Sequence, residues 1–209
     1  MVSNATGIEV GLLAGRYPGR VGHLYSPKGE RGPWIEIPYA LDNGVYGAHS
    51  RGVEWNEAEW HRLLLWAVMS GIMPLWAVVR DAIGNREATI AYWKQYAPAV
   101  RARGFRPAFV AQDGMTFDDV PDSECIVFLG GSPKTNWKNE AIGPWCARFP
   151  GRVHVGRVNG WDRLVSCYRA GAISVDGTGW FHKSNSKNQS QFNDLNKFLR
   201  ETSAAKAAA

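Results

Sequence analysis

The chain has 209 residues, 45% of them hydrophobic and 21% charged, which is the composition of an ordinary soluble globular domain. Its net charge of +5 suits a polyanionic partner without requiring one. The three cysteines form no CxxC pair or Cys/His cluster, no apolar run approaches the ~18 residues of a membrane span, and the N-terminus lacks a signal-peptide pattern. We therefore expect a cytoplasmic domain over residues 1–200, without a metal or a membrane segment, and a disordered tail over 201–209.

Apolar strands and amphipathic helices alternate along the chain. Strands are predicted over 34–42, 74–79, 106–112, 124–131, 152–158 and 172–176. Helices are predicted over 56–71, 85–104 (closed by Gly104), 139–151 (interrupted by Gly143 and Pro144), 161–171 and 192–201, with a polar loop over 183–191. This β-α-β-α order predicts a parallel sheet.

Polar groups follow the strand ends repeatedly, at Asp42, Asp81, Gln112, the pair Gly130–Gly131 and Asp176. In a TIM barrel all these ends face one mouth, whereas in an open doubly wound sheet they spread along one edge. No GxGxxG or P-loop pattern follows a strand, which counts against a nucleotide-cofactor fold. Because the chain is shorter than the ~250 residues typical of a TIM barrel, we expect a trimmed or incomplete (β/α)8-type barrel.

The last predicted strand, "AISVDGTGW" (172–180), places Asp176 at its C-terminal lip, directly before Gly177. A strand-end Asp is commonly a turn or cap residue, but several of them interleaved with glycines favour a small polar pocket. No His follows any of these strand ends. The site is therefore expected to work with carboxylates, as glycosyl-transfer sites do.

Five segments carry these polar groups in order: "LDNGVYG" (41–47), "VVRDAIGNREAT" (78–89), "FVAQDG" (109–114), "FLGGS" (128–132) and "VGRVNGWDRLVSCYRAGAISVD" (155–176). Together they resemble the tRNA-guanine transglycosylase family, whose fold is a TIM barrel. The first is similar to the family's D-S-G-G-[FY] loop and the second to its guanine-reading Asp segment. The last three are similar to I-V-Q-G-G, to A-I-G-G and to M-G-V-G-T-P-E-D-L…G-V-D-M-F-D.

The resemblance implies a role for each matched residue. Asp176 would be the nucleophile that attacks the sugar C1′, and Asp42 the general acid/base. Asp81 would accept hydrogen bonds from the guanine N1–H and 2-amino group, while Gln112 and the backbone N–H groups of Gly130 and Gly131 would donate to O6. The residues assigned to base binding are Asp81, Gln112, Gly130, Gly131, Tyr46 (which would stack on the base), Asn43 and Gly156. No cofactor or metal is implied in the chemistry.

The sequence differs from the family pattern mainly in features that bind the nucleic-acid substrate. The family's Cys/Cys/Cys/His zinc site, part of its tRNA-binding apparatus, is absent, and its basic run after the nucleophile becomes "TGWFHK" (178–183). Asp113 also replaces a glycine. The chain is most similar to the reduced phage and bacterial DpdA-type enzymes, which insert 7-deazaguanines into DNA. The expected partners are therefore DNA and a 7-deazaguanine base such as preQ0, in the cytoplasm of the host cell if the gene belongs to a phage.

Other interpretations remain open at this point. They are a tRNA-guanine transglycosylase, a nucleoside glycosylase or deoxyribosyltransferase, a non-catalytic nucleic-acid-binding barrel, and ordinary loop residues in an α/β protein. The basic segments 101–106 and 183–190 favour a polymer over a nucleoside only weakly. The sequence also leaves open whether a partner protein or a second copy of the chain is needed.

Overall fold

The structure, a computed structural model, describes residues 2–3, 8–29, 37–132, 135–181 and 186–207. Its eight strands form one sheet in sequential order, and every neighbouring pair is parallel. The strands are β1 (Val2–Ser3), β2 (His23–Tyr25), β3 (Tyr39–Leu41), β4 (Ala77–Val78), β5 (Pro107–Ala111), β6 (Ile126–Leu129), β7 (Val153–Val155) and β8 (Ser174–Val175). The predicted parallel α/β plan is thus confirmed. Residues 34–36 of the first predicted strand lie outside the described residues.

Helices connect most of these strands on the outside of the sheet. They are α1 (Ile8–Arg16), α2 (Val45–Ser50), α3 (Glu57–Ser70), α4 (Arg86–Arg101), α5 (Trp137–Arg148), α6 (Trp161–Ala170) and α7 (Ser186–Ala207). Among the described residues, no helix is long and apolar enough to cross a membrane.

The connection between β5 and β6 is shortened. It contains a 3-10 helix, Phe117–Asp119, in place of an α-helix. Asp119 accepts hydrogen bonds from the Arg86 guanidinium of α4, and Phe117 lies edge-on against Trp145 of α5, with ring centroids 5.3 Å apart. An ion pair and an aromatic contact therefore join this short connection to α4 and α5.

Side chains on the two faces of the sheet form separate apolar clusters. Leu24, Trp76, Val78, Val110 and Ile126 belong to a small inner cluster, while the larger cluster lies between the sheet and the helices. Trp76, directly before β4, contacts His154 of β7, with ring centroids 4.8 Å apart. Two strands separate β4 from β7 in the sheet, so this contact requires the sheet to curve around its inner face as a barrel.

Two helix predictions differ from the structure. Helix α5 runs without interruption through Gly143 and Pro144, because burial of Ile142 and Trp145 compensates for the hydrogen bond that proline cannot donate. Helix α4 ends at Arg101, and Gly104 lies in the following turn with a φ of +75°.

The C-terminal segment differs most from the prediction. Residues 186–191, expected to be loop, begin α7, and the helix continues through 201–207, which were expected to be a disordered tail; 182–185 and 208–209 lie outside the described residues. The Ala-rich end has high helix propensity. The helix is also anchored, because the Arg20 guanidinium donates to Thr202 Oγ1 at 2.7 Å and the Tyr17 hydroxyl donates to Asn196 Oδ1 at 3.0 Å.

The first turn of α4 provides a test of local stability. Asn85 Oδ1 accepts the backbone N–H of Ala88 at 3.0 Å and caps the helix. Asn85→Ala should lower the free energy of unfolding by about 1 kcal/mol, the usual contribution of such a cap. Asn85→Asp keeps the acceptor and should stay close to the wild type. Urea denaturation measures both, and equal stability of the Ala variant and the wild type would contradict the capping role.

Candidate active site

A cavity of about 250 Å³ opens at the C-terminal mouth of the barrel. Its lining comes from residues in or directly after every strand from β2 to β8. Eight of the nine predicted site residues line it: Asp42, Asn43, Tyr46, Asp81, Gln112, Gly130, Gly131 and Asp176. Sequential parallel topology thus brings together positions that are up to 134 residues apart (176 − 42).

Gly156 is the predicted site residue that does not line the cavity. A Cβ at this position would lie 2.6 and 2.9 Å from ring atoms of Phe128 and 3.4 Å from Asp176 Oδ1. The missing side chain therefore allows the Phe128 ring to pack against the backbone beside Asp176.

Asp176 is 5% exposed and directly follows β8. Its Oδ1 lies 3.0 Å from His154 Nε2, and its Oδ2 accepts the backbone N–H of Arg157 at 3.3 Å. Burial raises the pKa of Asp176, but the hydrogen bond of His154, and the charge of its ring when it is protonated, outweigh this effect, so the pKa lies below its usual value. Asp176 is therefore ionised at neutral pH.

Asp42 follows β3 and is partly exposed to the cavity. Its two oxygens accept hydrogen bonds from the Ser26 hydroxyl and from the Asn43 backbone N–H, both at 2.9 Å. Burial raises the pKa of Asp42 to about 6, and the negative charge of Asp176 adds to the rise, although the Ser26 hydroxyl opposes it. Asp42 and Asp176 thus face one cavity with pKa values shifted in opposite directions.

Asp81, which follows β4, is held by two side-chain amides. Asn43 Nδ2 donates to one carboxylate oxygen at 2.8 Å and Gln112 Nε2 to the other at 2.5 Å. Burial raises its pKa to about 6, the amide of Asn43 opposes the rise, and the charge of Asp42 adds to it. The three side chains form one buried network, in which Gln112 Oε1 also accepts the Gly84 N–H at 3.1 Å.

The backbone donors predicted to contact the base already have partners. The N–H groups of Gly130 and Gly131 donate to the Ala111 carbonyl at 3.1 and 3.3 Å. The Gln112 amide likewise donates to Asp81. The structure places all three residues at the cavity, but contacts from these donors to a base oxygen would require an exchange of hydrogen-bond partners.

Sequence reasoning missed His154, since no His follows a strand end. His154 lies within β7, and its side chain points into the barrel, where it is fully buried. The alternation of "RVHVGRV" (152–158) between the two faces of a strand is the signal that could have found it.

Arg157 was also missed, and it is the one cation among the described residues that line the cavity. Its guanidinium donates to the carbonyls of Gly130 and Gly131 and lies 4.3 Å from the ring centroid of Tyr46. Its φ of +58° is rare for a residue with a side chain. Arg157 thereby links helix α2 with the loops after β6 and β7 at the mouth.

Lys138 of α5 lies beside this group, outside the cavity lining. It is 7% exposed, and its Nζ donates to the Gly156 carbonyl at 2.9 Å. Burial lowers its pKa to about 7, helped by the charge of Arg157 and opposed by Asp176. Among the described residues, no group of three or more His, Cys, Asp or Glu side chains could hold a metal ion.

No protein-family model and no curated protein matches the chain. Among solved structures, a tryptophan synthase complex from Pyrococcus furiosus has a TM-score of 0.55 at 15% identity, over 92% of this chain and 90% of that one. A structure described as "Native KDPGal structure" has a TM-score of 0.51 at 12% identity, over 96% and 92%. These similarities show the fold alone, and that fold is the TIM barrel.

The raised pKa of Asp42 predicts a pH-dependent stability difference. Its folded pKa of about 6 exceeds the ~4 of an unfolded Asp, so the folded protein binds more protons between these values. The stability contribution of this group is therefore present at low pH and is lost as the pH rises toward 6. An asparagine at this position cannot ionise, so the Asp42→Asn variant does not lose stability in this way. The free energy of unfolding of Asp42→Asn minus that of the wild type should therefore increase from about pH 4 to about pH 7.

Urea denaturation across this range measures the difference. The matched control is Asp118→Asn, at an exposed position in the 3-10 helix, whose difference from the wild type should not follow this trend. A pH-independent difference for Asp42→Asn would contradict the burial of an unfavourably ionised Asp42.

Proposed function

We propose that the chain is a base-exchange transglycosylase that replaces guanine in DNA with a 7-deazaguanine such as preQ0, through a covalent Asp176–sugar intermediate. The observation that carries the proposal is the contrast between two carboxyl groups in one cavity. Asp176 has a lowered pKa, whereas the pKa of Asp42 is raised to about 6. Environments that push two such pKa values apart divide a pair of carboxyl groups into a charged nucleophile and an acid/base.

The proposed reaction balances with these two groups alone. An oxygen of Asp176 attacks the sugar C1′, the C1′–N9 bond breaks, and its electron pair leaves with guanine, which takes a proton from Asp42. The product is an ester between Asp176 and the sugar. The incoming 7-deazaguanine then attacks C1′, the ester bond breaks to restore the carboxylate, and the N9 proton of the incoming base returns to Asp42.

The cavity has the size and polarity for one nucleobase. Its volume of about 250 Å³ is below the ~300 Å³ at which pockets for drug-sized ligands begin. Leu24, Val78, Val110 and Phe128 contribute apolar surface, while Asp81 and its amide partners contribute a polar edge. An apolar floor with a polar edge suits a flat ring with hydrogen-bonding groups on its rim, and a base in a duplex would have to be flipped out to reach it.

The choice of DNA rests on the resemblance in the sequence and on charge. The net charge is +5, and Arg157 places a guanidinium at the mouth, where a phosphate or sugar of the flipped nucleotide would pass. A deoxyribosyltransferase acting on free nucleosides would use the same two carboxylates. It would not need electrostatic attraction to a polymer, and this difference separates the two activities.

Incorporation of labelled base tests the substrate. We expect labelled guanine or preQ0 to enter DNA, and not tRNA, with DNA binding that weakens as salt increases because phosphate contacts release counterions. Incorporation into tRNA alone would overturn the DNA assignment. Exchange on free deoxynucleosides, with binding insensitive to salt, would favour the nucleoside enzyme.

Loss of the charge at position 176 tests the mechanism. Asp176→Asn should reduce base exchange by several orders of magnitude and leave base binding little changed, because the lost interaction acts in the transition state. Asp42→Asn should reduce exchange by the smaller factor of about 10²–10⁴ typical of proton transfer.

Trapping separates the two roles. Wild-type protein mixed with DNA and a base that cannot complete the exchange should carry a denaturant-resistant DNA adduct, seen as a shifted band in a denaturing gel. Asp176→Asn should form none, and Asp42→Asn should still form some. An adduct that depends on Asp42 and persists without Asp176 would reverse the assignment.

A further inference from the structure

The ring of His154 is held in one orientation inside the barrel. It is 0% exposed, and its centroid lies 4.8 Å from that of Trp76 and 4.5 Å from that of Phe128. Close packing between two large rings prevents the imidazole from turning toward another partner. An imidazole in such an apolar layer needs hydrogen-bond partners to offset its burial.

Both ring nitrogens of His154 have such partners, one in β8 and one directly after it. Nδ1 lies 2.7 Å from Ser174 Oγ and Nε2 lies 3.0 Å from Asp176 Oδ1. The register pairs His154 with Ser174 across the sheet. Because side chains alternate along a strand, Ser174 and Asp176 lie on the same inner face. The backbone pairing of β7 with β8 therefore sets the imidazole between these two side chains.

The protonation of the ring follows from this arrangement. Burial lowers the pKa of His154, although Asp176 opposes the shift, so the ring is neutral at neutral pH. A neutral imidazole has one donor nitrogen and one acceptor nitrogen. The carboxylate can only accept, so Nε2 carries the proton and donates to Asp176, while Nδ1 accepts the Ser174 hydroxyl.

We propose that His154 is a positioning residue for Asp176, which fixes the carboxylate in one rotamer and keeps it an ionised acceptor facing the cavity. The inference rests on the proposed function, which makes Asp176 the nucleophile. Because Oδ1 remains bonded to His154, Oδ2 is the oxygen that attacks C1′. In the ester, Oδ1 becomes the carbonyl oxygen and continues to accept the His154 N–H, so the imidazole holds the group through both steps.

Charged residues other than His154 also face Asp176, and a test of His154 must leave them unchanged. Asp42 approaches from the end of β3, Lys138 from α5, and Arg157 donates its backbone N–H from the end of β7. None of them is altered by substitution of His154. A change in the titration of Asp176 in such a variant therefore reports on the imidazole.

Two substitutions separate the hydrogen bond from the packing. His154→Phe keeps an aromatic ring between Trp76 and Phe128 but removes the donor, and His154→Gln returns an N–H near the position of Nε2. The matched control is His23→Phe, the same substitution at a buried position on β2 that does not line the cavity.

Titration of the Asp176 carboxyl carbon by NMR measures the effect without any activity. In His154→Phe the pKa of Asp176 should rise by about one to two pH units, the equivalent of one hydrogen bond to a charged group. His154→Gln should recover most of the wild-type value, and His23→Phe should match the wild type. An unchanged titration in His154→Phe, or the same shift in His23→Phe, would overturn the proposal.

Base-exchange kinetics give the second measurement. In His154→Phe, kcat should fall by about 10- to 100-fold while KM for the base changes little, and the acid limb of the pH profile should move to higher pH. A fall in kcat with an unmoved acid limb would mean a purely structural role. If the wild type exchanges no base but the NMR shift is present, the His154–Asp176 pairing holds and the proposed function fails.

Discussion

The shortness of the strands constrains every polar group at the site. The strands of the sheet are two to five residues long, and no strand, counted with its flanking residues, contributes more than two side chains to the inner apolar cluster. Polar side chains that point inward near the strand ends lie between the cavity and the inner apolar cluster. Each must therefore find a partner on a neighbouring strand.

This constraint explains why the buried polar groups occur as linked sets. Asp81 lies between Asn43 and Gln112, from the strands on either side of β4. Asp176 is linked to His154 on the neighbouring strand β7. Asp42, which keeps contact with the cavity, accepts from the hydroxyl of Ser26 at the end of the neighbouring strand β2 and from a backbone N–H. Similar acids in one cavity thus acquire different properties from their neighbours.

The sequence allowed prediction of the parts that depend on local pattern. The alternation of strands and helices predicted the parallel sheet, and a carboxylate or glycine at a strand end predicted a residue at the mouth, as for Asp42 and Asp176. It did not predict His154, because the search considered residues that follow a strand end, whereas His154 lies within a strand. It did not predict the link from Arg157 to Tyr46, because that contact joins a loop and a helix that are far apart in sequence.

At the C-terminus, the sequence pattern predicted the wrong secondary structure. Residues 186–191 are polar and were expected to be a loop, yet they begin α7. The contacts that anchor this helix are made to Tyr17 and Arg20, near the other end of the chain. Local composition carries no information about these partners, because the two hydrogen bonds span 179 and 182 residues.

Those same two hydrogen bonds bear on how the barrel forms during synthesis. Contacts between residues this far apart are the slowest to form, because a long loop must close before they contribute. During synthesis, Tyr17 and Arg20, which follow α1, leave the ribosome long before their partners on α7. The segment that holds Tyr17 and Arg20 therefore lacks these contacts until α7 has been synthesised, and a truncation before Asn196 would remove them altogether.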